Sequence, residues 1–453
     1  MEVKSRIGFN QLIFGIVFIL AVFLAYRIIL NPDSQFFLLI GGILAAIFIV
    51  LRPILGLAAY LLIYPMVPAE ESLTLLKISV FGLFILILSI WLIKKSFYKE
   101  RFVSTEYRWM FLFFIFLCIS PLLGSVNNFT PIDWARDIAP LLNLLLIPIM
   151  VDYFKKRQND WLLYLVFLLM VLSMIKDIIV LFSGYGVTFI DLAIFESVPL
   201  ASIHPSLGFG LGLIMFIYKA PHKRLWLILA VISLVVTFLT PTRTVWLTTG
   251  TMALLILAFS SRRRVWALTS IVITVGLIGW LFLHSGSSSY IESQSVRFQK
   301  LVEYHYDLSF ENRVEEIKQT GELFLSSPLY GVGFGYRYRF WRPFVTGIGP
   351  GILDTTFTHN DIMFIVSKGG LIGLVLFGLM LYGLGKKLFQ RRKEKPNSLQ
   401  SAWATIGLIA LVNSIVIGLS TPVIQTRGII FVLAILLAMG LAYGETGSDA
   451  RQS

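Results

Sequence analysis

The chain has 453 residues, of which 57% are hydrophobic and 14% charged, and its mean hydropathy is +0.81. Soluble domains carry about 25% charged residues, so this balance excludes an ordinary water-soluble enzyme and points to a polytopic membrane protein. The formal net charge of +13 does not indicate nucleic acid, because the basic residues fall in short loops between apolar runs, where they set orientation.

A membrane span needs about 20 mainly apolar residues to cross a core of about 30 Å. Candidate spans are 11–30, 36–51, 54–67, 78–93, 109–124, 138–154, 161–183, 204–218, 224–240, 244–260, 264–283, 361–384, 401–420 and 428–444. The runs 36–51, 54–67 and 204–218 are short enough to be tilted, broken or re-entrant. The expected fold is therefore an all-α polytopic integral membrane protein of 12–14 transmembrane helices, with one long extracytoplasmic loop containing short helices. The run 11–30 follows Lys4 and Arg6 as a signal peptide would, but it lacks a small-residue cleavage site and reads as an uncleaved first helix. The expected organisation is helices over 1–283, a loop over 284–360, further helices over 361–444 and a tail over 445–453. Pro65, Pro121, Pro140 and Pro148 lie in or near spans, where neighbouring helices can satisfy the freed carbonyls. Cys118 is the single cysteine, so no intramolecular disulfide forms.

With both termini inside, alternate loops hold 24 of the 38 basic residues, among them Lys94, Lys95, Lys155, Lys156, Arg262, Arg263, Arg391 and Arg392. The opposite side holds 10: Arg136, Arg243, Arg427 and seven in the long loop. The bias holds loop by loop, so the long loop is expected to face outward. Arg27, Lys77, Lys176 and Lys368 fall within or at the edges of spans. For Arg27 and Lys77 snorkelling suffices, and Lys176-Asp177 reads as an internal ion pair of structural or functional use.

Inside the loop, Ser309 can cap a helix over about 310–325, with Glu311 favourable in its first turn. Val314, Ile317, Gly321 and Phe324 recur at helical spacing as its apolar face. Arg313 falls in the first turn, a poor place for a cation on stability grounds but a good one for an anion site. Gly331-Val-Gly333-Phe-Gly335 lacks the preceding strand of a dinucleotide fingerprint and reads as a tight turn with close backbone approach. The run Tyr336-Arg337-Tyr338-Arg339-Phe340-Trp341-Arg342 suits stacking on sugar rings with contact to phosphate oxygens. It suits equally an interfacial belt on anionic headgroups. Asn360 or Asp361 can cap the next span, which leaves His359 at the membrane surface with a side chain able to take a proton from a hydroxyl. Asn360 is counted with the ligand-contacting residues. Arg243 occupies a very short outward turn, Pro241-Thr242-Arg243-Thr244, and there it either holds an anion or anchors the turn at headgroups.

At these residues the chain resembles the O-antigen ligase and polymerase superfamily. The resemblance rests on Arg243 in its short turn, Asn312-Arg313-Val314-Glu315, Ser327-Pro328-Leu329-Tyr330-Gly331-Val332-Gly333, and His359-Asn360 followed by Gly369-Gly370-Leu371-Ile372-Gly373. It covers about residues 200–377, while the N-terminal third matches only as a set of spans. Lys368 departs from the acidic or neutral residue the family commonly has before the glycine pair. The resemblance implies a glycosyltransferase of the cytoplasmic (inner) membrane, with membrane lipids around it and both termini cytoplasmic. It implies a polyprenyl (undecaprenyl) diphosphate-linked glycan donor and a glycan or lipid-core acceptor. Arg243 and Arg313 would hold the diphosphate and His359 would activate the acceptor, with inversion at the anomeric carbon. No Asp-x-Asp motif and no P-loop occur in the sequence, so neither a divalent metal, another cofactor nor ATP is implied. A flippase for the same lipid-linked sugars is the rival from another class. It should show repeats with matching intramembrane charges in two halves, whereas here one long loop sits late in the chain.

Overall fold

A computed structural model describes residues 47, 49–64, 75–97, 107–123, 130–154, 161–183, 204–239, 243–259, 308–342 and 351–443. The chain divides into two units, Met1–Ser104 and Thr105–Ser453. In the first, α1 (Pro53–Ile63) packs against α2 (Leu75–Phe97). Proline opens α1, where its missing N–H has no partner to lose. Tyr60 meets Phe84 with ring centroids 5.5 Å apart, while Phe81, Ile85 and Ile93 of α2 are exposed.

The second unit contains α3 (Arg108–Leu123) and α4 (Pro131–Leu142), the latter running through a 3₁₀ turn (Asn143–Leu145) into α5 (Leu146–Phe154). Then come α6 (Trp161–Ser183), α7 (His204–Ile217), α8 (Lys223–Leu239), α9 (Arg243–Phe259) and α10 (Leu308–Ser326). Strands β1 (Tyr338–Arg342) and β2 (Gly351–Thr355) precede α11 (Asp361–Glu394), α12 (Leu399–Gly418) and α13 (Arg427–Ala442).

The core lies around α7, buried throughout from His204 to Met215, and around α12 and α13. Small residues permit the packing: a β-carbon on Gly212 would sit 2.5 Å from the Trp226 carbonyl, and one on Gly210 would sit 2.7 Å from Met252 Sδ. Helices surrounded by lipid gain little from apolar burial against one another, so close van der Waals approach and interhelical hydrogen bonds hold them. One such bond joins Ser206 Oγ of α7 to Thr249 Oγ1 of α9 at 2.7 Å. On α8, Leu225, Ile228, Ile232, Val235 and Phe238 recur every three or four residues and are exposed. Water would penalise such a stripe; hydrocarbon accepts it.

Four helices are long and apolar enough to cross a membrane, Ser79–Phe97, Pro131–Phe154, Asp361–Glu394 and Leu399–Gly418, with shorter apolar helices beside them. The protein is thus a multi-pass, essentially all-helical membrane protein. The expected spans 11–30 and 264–283, most of 36–51, and the side chains of Lys176 and Asp177 lie outside the described residues. Two departures matter for the site. The long loop contains an antiparallel strand pair, with Tyr338 opposite Thr355 and Arg339 opposite Asp354, where only helices were expected. Helix α10 begins at Leu308, so Ser309 lies within its first turn instead of capping it, and Arg313 falls in the second turn.

Candidate functional site

Helix α11 is broken, and the break organises the site. Gly370 inside it has φ 60° and ψ −161°, conformations closed to residues with a side chain. The segment from Pro328 to Gly333 fills the gap and takes up the backbone groups that the break frees. Val332 N–H donates to the Ser367 carbonyl at 2.9 Å and Gly333 N–H to the Lys368 carbonyl at 3.0 Å. In return, Leu371 N–H donates to the Pro328 carbonyl at 2.8 Å and Ile372 N–H to the Leu329 carbonyl at 3.2 Å. Non-helical backbone at membrane depth survives only where protein satisfies it in this way. A β-carbon at Gly370 would collide with the backbone of Leu329 and Gly331, and one at Gly331 with Lys368. The two glycine motifs are therefore the two halves of one contact.

Lys368, at the break, is buried and donates to Asp137 of α4 and to the Thr356 carbonyl. Its ammonium lies 4.9 Å from the centre of the Phe364 ring. The same Asp137 oxygen accepts the Gly335 N–H at 2.7 Å. One ion pair thus ties together α4, the glycine turn, the end of β2 and α11. One helical turn before Asp137, Asp133 receives Arg337 at 3.3 Å, and Arg337 also pairs with Asp354 of β2 at 2.9 Å. Arg337, with Arg339 assisting, holds the Asp354 carboxyl below the usual carboxylate range, and the bond to Asp354 pushes the Arg337 guanidinium up.

The residues around His359 are clamped one by one. Gln425 bonds both backbone groups of Thr358, accepting its N–H at 3.0 Å and donating to its carbonyl at 2.5 Å. Asn360 Oδ1 accepts from Met363 N–H at 3.0 Å, capping α11, and its Nδ2 donates to the Leu419 carbonyl at 2.8 Å. The Asp361 carboxylate accepts the N–H groups of Val423 and Ile424. His359 itself is held by Glu316 of α10: the backbone N–H donates to Oε1 at 3.1 Å, and ring Nδ1 lies 2.8 Å from Oε2. Glu316 is only 3% exposed. The Tyr338 hydroxyl, 3.1 Å from Glu316 Oε1 and 2.7 Å from the Phe357 carbonyl, completes its surroundings.

That arrangement reverses the expected amphipathicity of α10. Val314 and Ile317 are 50% and 41% exposed, whereas Glu316 and Thr320 are buried. The helix presents its polar side to the site because Glu316 has fixed donors there. Arg313, half-buried and three residues before Glu316, lies on the same face, where i and i+3 side chains are neighbours.

The other expected site residues distribute unevenly. Arg243 is the first residue of α9, and its side chain lies outside the described residues. The next residue, Thr244, bonds Thr421 Oγ1 at 3.3 Å, in the same connection that clamps Thr358 and Asp361. Along β1, the strand alternation turns Tyr338 and Phe340 inward and Arg339 and Trp341 outward. Tyr338 therefore serves Glu316, while Trp341, at 53% exposure, and half-buried Tyr336 remain as open aromatic surfaces. Arg337 is engaged by two carboxylates, and Arg342, whose side chain lies outside the described residues, closes the strand opposite Gly351. Glu316, Gln425 and the Lys368–Asp137 pair had escaped notice. The signal for Glu316 was its place three residues after Arg313 on a helix whose apolar stripe is thin.

Residues 228–378 match the family model described as O-antigen ligase. No curated protein matches the chain. The matched stretch contains Arg243, Arg313, both glycine motifs and His359, together with the Lys368 side of the buried ion pair. Over residues 228–378, a third of its length, the chain is therefore similar to the O-antigen ligase family.

Proposed function

We propose that the protein is a glycosyltransferase that moves a glycan from a polyprenyl (undecaprenyl) diphosphate carrier to a sugar hydroxyl, on the outer side of the cytoplasmic membrane. The reaction would serve polymerisation or ligation of a surface polysaccharide such as O-antigen, capsule or exopolysaccharide. The observation that carries this reading is His359, held at Nδ1 by buried Glu316 and clamped through its neighbours, within the stretch that matches the family. A preorganised base of this kind suits proton removal from a hydroxyl.

In the proposed step, His359 Nε2 takes the acceptor proton and the freed oxygen attacks the anomeric carbon. The bond from that carbon to the diphosphate breaks, and its electron pair stays with the diphosphate oxygen. Arg243 and Arg313 would meet the negative charge that gathers there, since guanidinium groups stabilise a developing diphosphate charge. A single displacement inverts the anomeric centre. Trp341 and Tyr336 offer faces for sugar rings, and Arg339 and Arg342 would supply cations for phosphate oxygens; on this reading Asn360 acts by fixing the backbone beside the base.

The test supplies purified protein with polyprenyl diphosphate-linked glycan and either a second lipid-linked glycan or a lipid-core acceptor, without ATP or added metal. A ladder of products indicates a polymerase and a single transfer a ligase. Movement of the lipid-linked glycan across proteoliposomes with no new glycosidic bond would replace this reading with that of a flippase.

A further inference from the structure

We infer that Glu316 is a positioning residue which fixes the tautomer of His359, so that Nε2 and not Nδ1 is the nitrogen that takes the acceptor proton. This rests on the reading of His359 as the base.

The donors around Glu316 decide the matter. Oε1 receives the His359 backbone N–H at 3.1 Å and faces the Tyr338 hydroxyl at 3.1 Å, while Oε2 faces ring Nδ1 at 2.8 Å. The backbone N–H can only donate, so Oε1 must accept. A carboxylate has no proton to offer at Oε2 either, so Nδ1 must carry the ring hydrogen. The lone pair of the neutral imidazole then lies on Nε2. The geometry leaves Glu316 little freedom: it is 3% exposed, and Thr320 Oγ1 bonds its carbonyl at 2.8 Å. Tyr338 is held in turn between Glu316, the Phe357 carbonyl and Thr358 Oγ1. The same carboxylate faces the positive charge that the ring acquires during proton transfer, as the aspartate does in a Ser-His-Asp triad.

A glutamine cannot reproduce this. Its single carbonyl oxygen is drawn to the Oε1 position by the backbone N–H, which places the NH₂ group against Nδ1. The ring then accepts at Nδ1, its proton moves to Nε2, and the nitrogen facing the acceptor no longer has a lone pair. Glu316→Gln keeps size and shape, so the expected result is a fall in kcat of about 10²–10⁴-fold, with KM and melting temperature unchanged. Glu316→Gln added to His359→Ala should cost nothing further, because the residue acts only through the ring.

Wild-type kcat in Glu316→Gln would overturn the inference, as would an equal additional loss in the His359→Ala background. Where Glu316→Gln yields no folded protein, Tyr338→Phe carries the test, since it keeps the ring that stacks on Phe340. A kcat lowered about tenfold with unchanged KM supports the inference, and unaltered kcat overturns it. Full turnover in His359→Ala alone would instead remove the base itself, and the proposed reaction mechanism with it.

Discussion

The two ends of the helical core in the second unit both carry arginine, and they use it oppositely. At the end where α9, α11 and α13 finish, Arg392 donates to the carbonyl of Phe259, the last residue of α9, at 3.1 Å, and its guanidinium covers that ring at 4.6 Å. Beside it, Arg391 reaches the Tyr443 carbonyl just past α13. These cations sit on C-terminal carbonyls, where the helix dipole favours them. At the His359 end, Arg243 is the first residue of α9, where the dipole repels a cation. The helix dipole accounts for arginine at the first end and not at the second, and the proposed function gives Arg243 its purpose there, to meet an anionic diphosphate.

The largest effects should therefore follow substitutions at the His359 end. His359→Ala is expected to lower kcat by about 10²–10⁴-fold, and Arg313→Ala or Arg243→Ala by about 10²–10³-fold, all with little change in melting temperature. Assays on purified protein in detergent would check both quantities. Undiminished turnover in these variants would mean that arginines at the two ends do not differ in purpose.

The second effect concerns the buried pair that holds the His359 end together. Removing one charge, as in Lys368→Met or Asp137→Leu, leaves its partner stranded, at a cost of about 3–5 kcal/mol. Removing both should recover much of that loss, since well-packed apolar residues can replace a buried ion pair. Melting temperatures of the two single variants and the double variant decide the point. If the double variant is as unstable as the sum of the singles, the pair is not a unit.

How much of this was readable beforehand follows from distance along the chain. Helices such as α6, expected and found at 161–183, announce themselves in local apolar runs. The close approach at Gly331 and Gly333 was also legible, because glycines in that spacing have few other uses. That their partner would be the break at Gly370 was not, since the pairing is between separate segments. Lys368 and Asp137 lie 231 residues apart, and nothing local marks either as the other's partner. The cation–aromatic alternation of 336–342 was read as surface chemistry, although a period of two is itself the mark of a strand. Glu316 is not singled out by its sequence position alone; its burial depends on Tyr338 and His359, which only the fold brings near.

At the opposite end, Arg392→Gln removes a carbonyl cap and a dipole contact worth about 0.3–1 kcal/mol. A small drop in melting temperature with unchanged kcat is the expected outcome. A loss of activity comparable to that of Arg243→Ala would erase the contrast between the ends.

The smallest effect is a matter of pH and lies outside the helical core. Asp354 has its carboxyl lowered by Arg337 and Arg339, so the ion pair contributes stability above the unfolded carboxylate range and loses it as pH falls through the lowered value. Both partners are well exposed, with side chains 40% and 41% accessible, so solvent screening limits the contribution to about 0.2–1 kcal/mol. Hydrogen exchange of the β1–β2 amides should therefore stay flat from neutral pH down to about 4, after correction for intrinsic rates, and rise only below it. Asp354→Asn should abolish that rise and leave a uniformly slight loosening of the strands. A rise that begins near pH 6 would assign the transition to another group, and would place the strand pair under the control of the histidine end instead of its own surface charges.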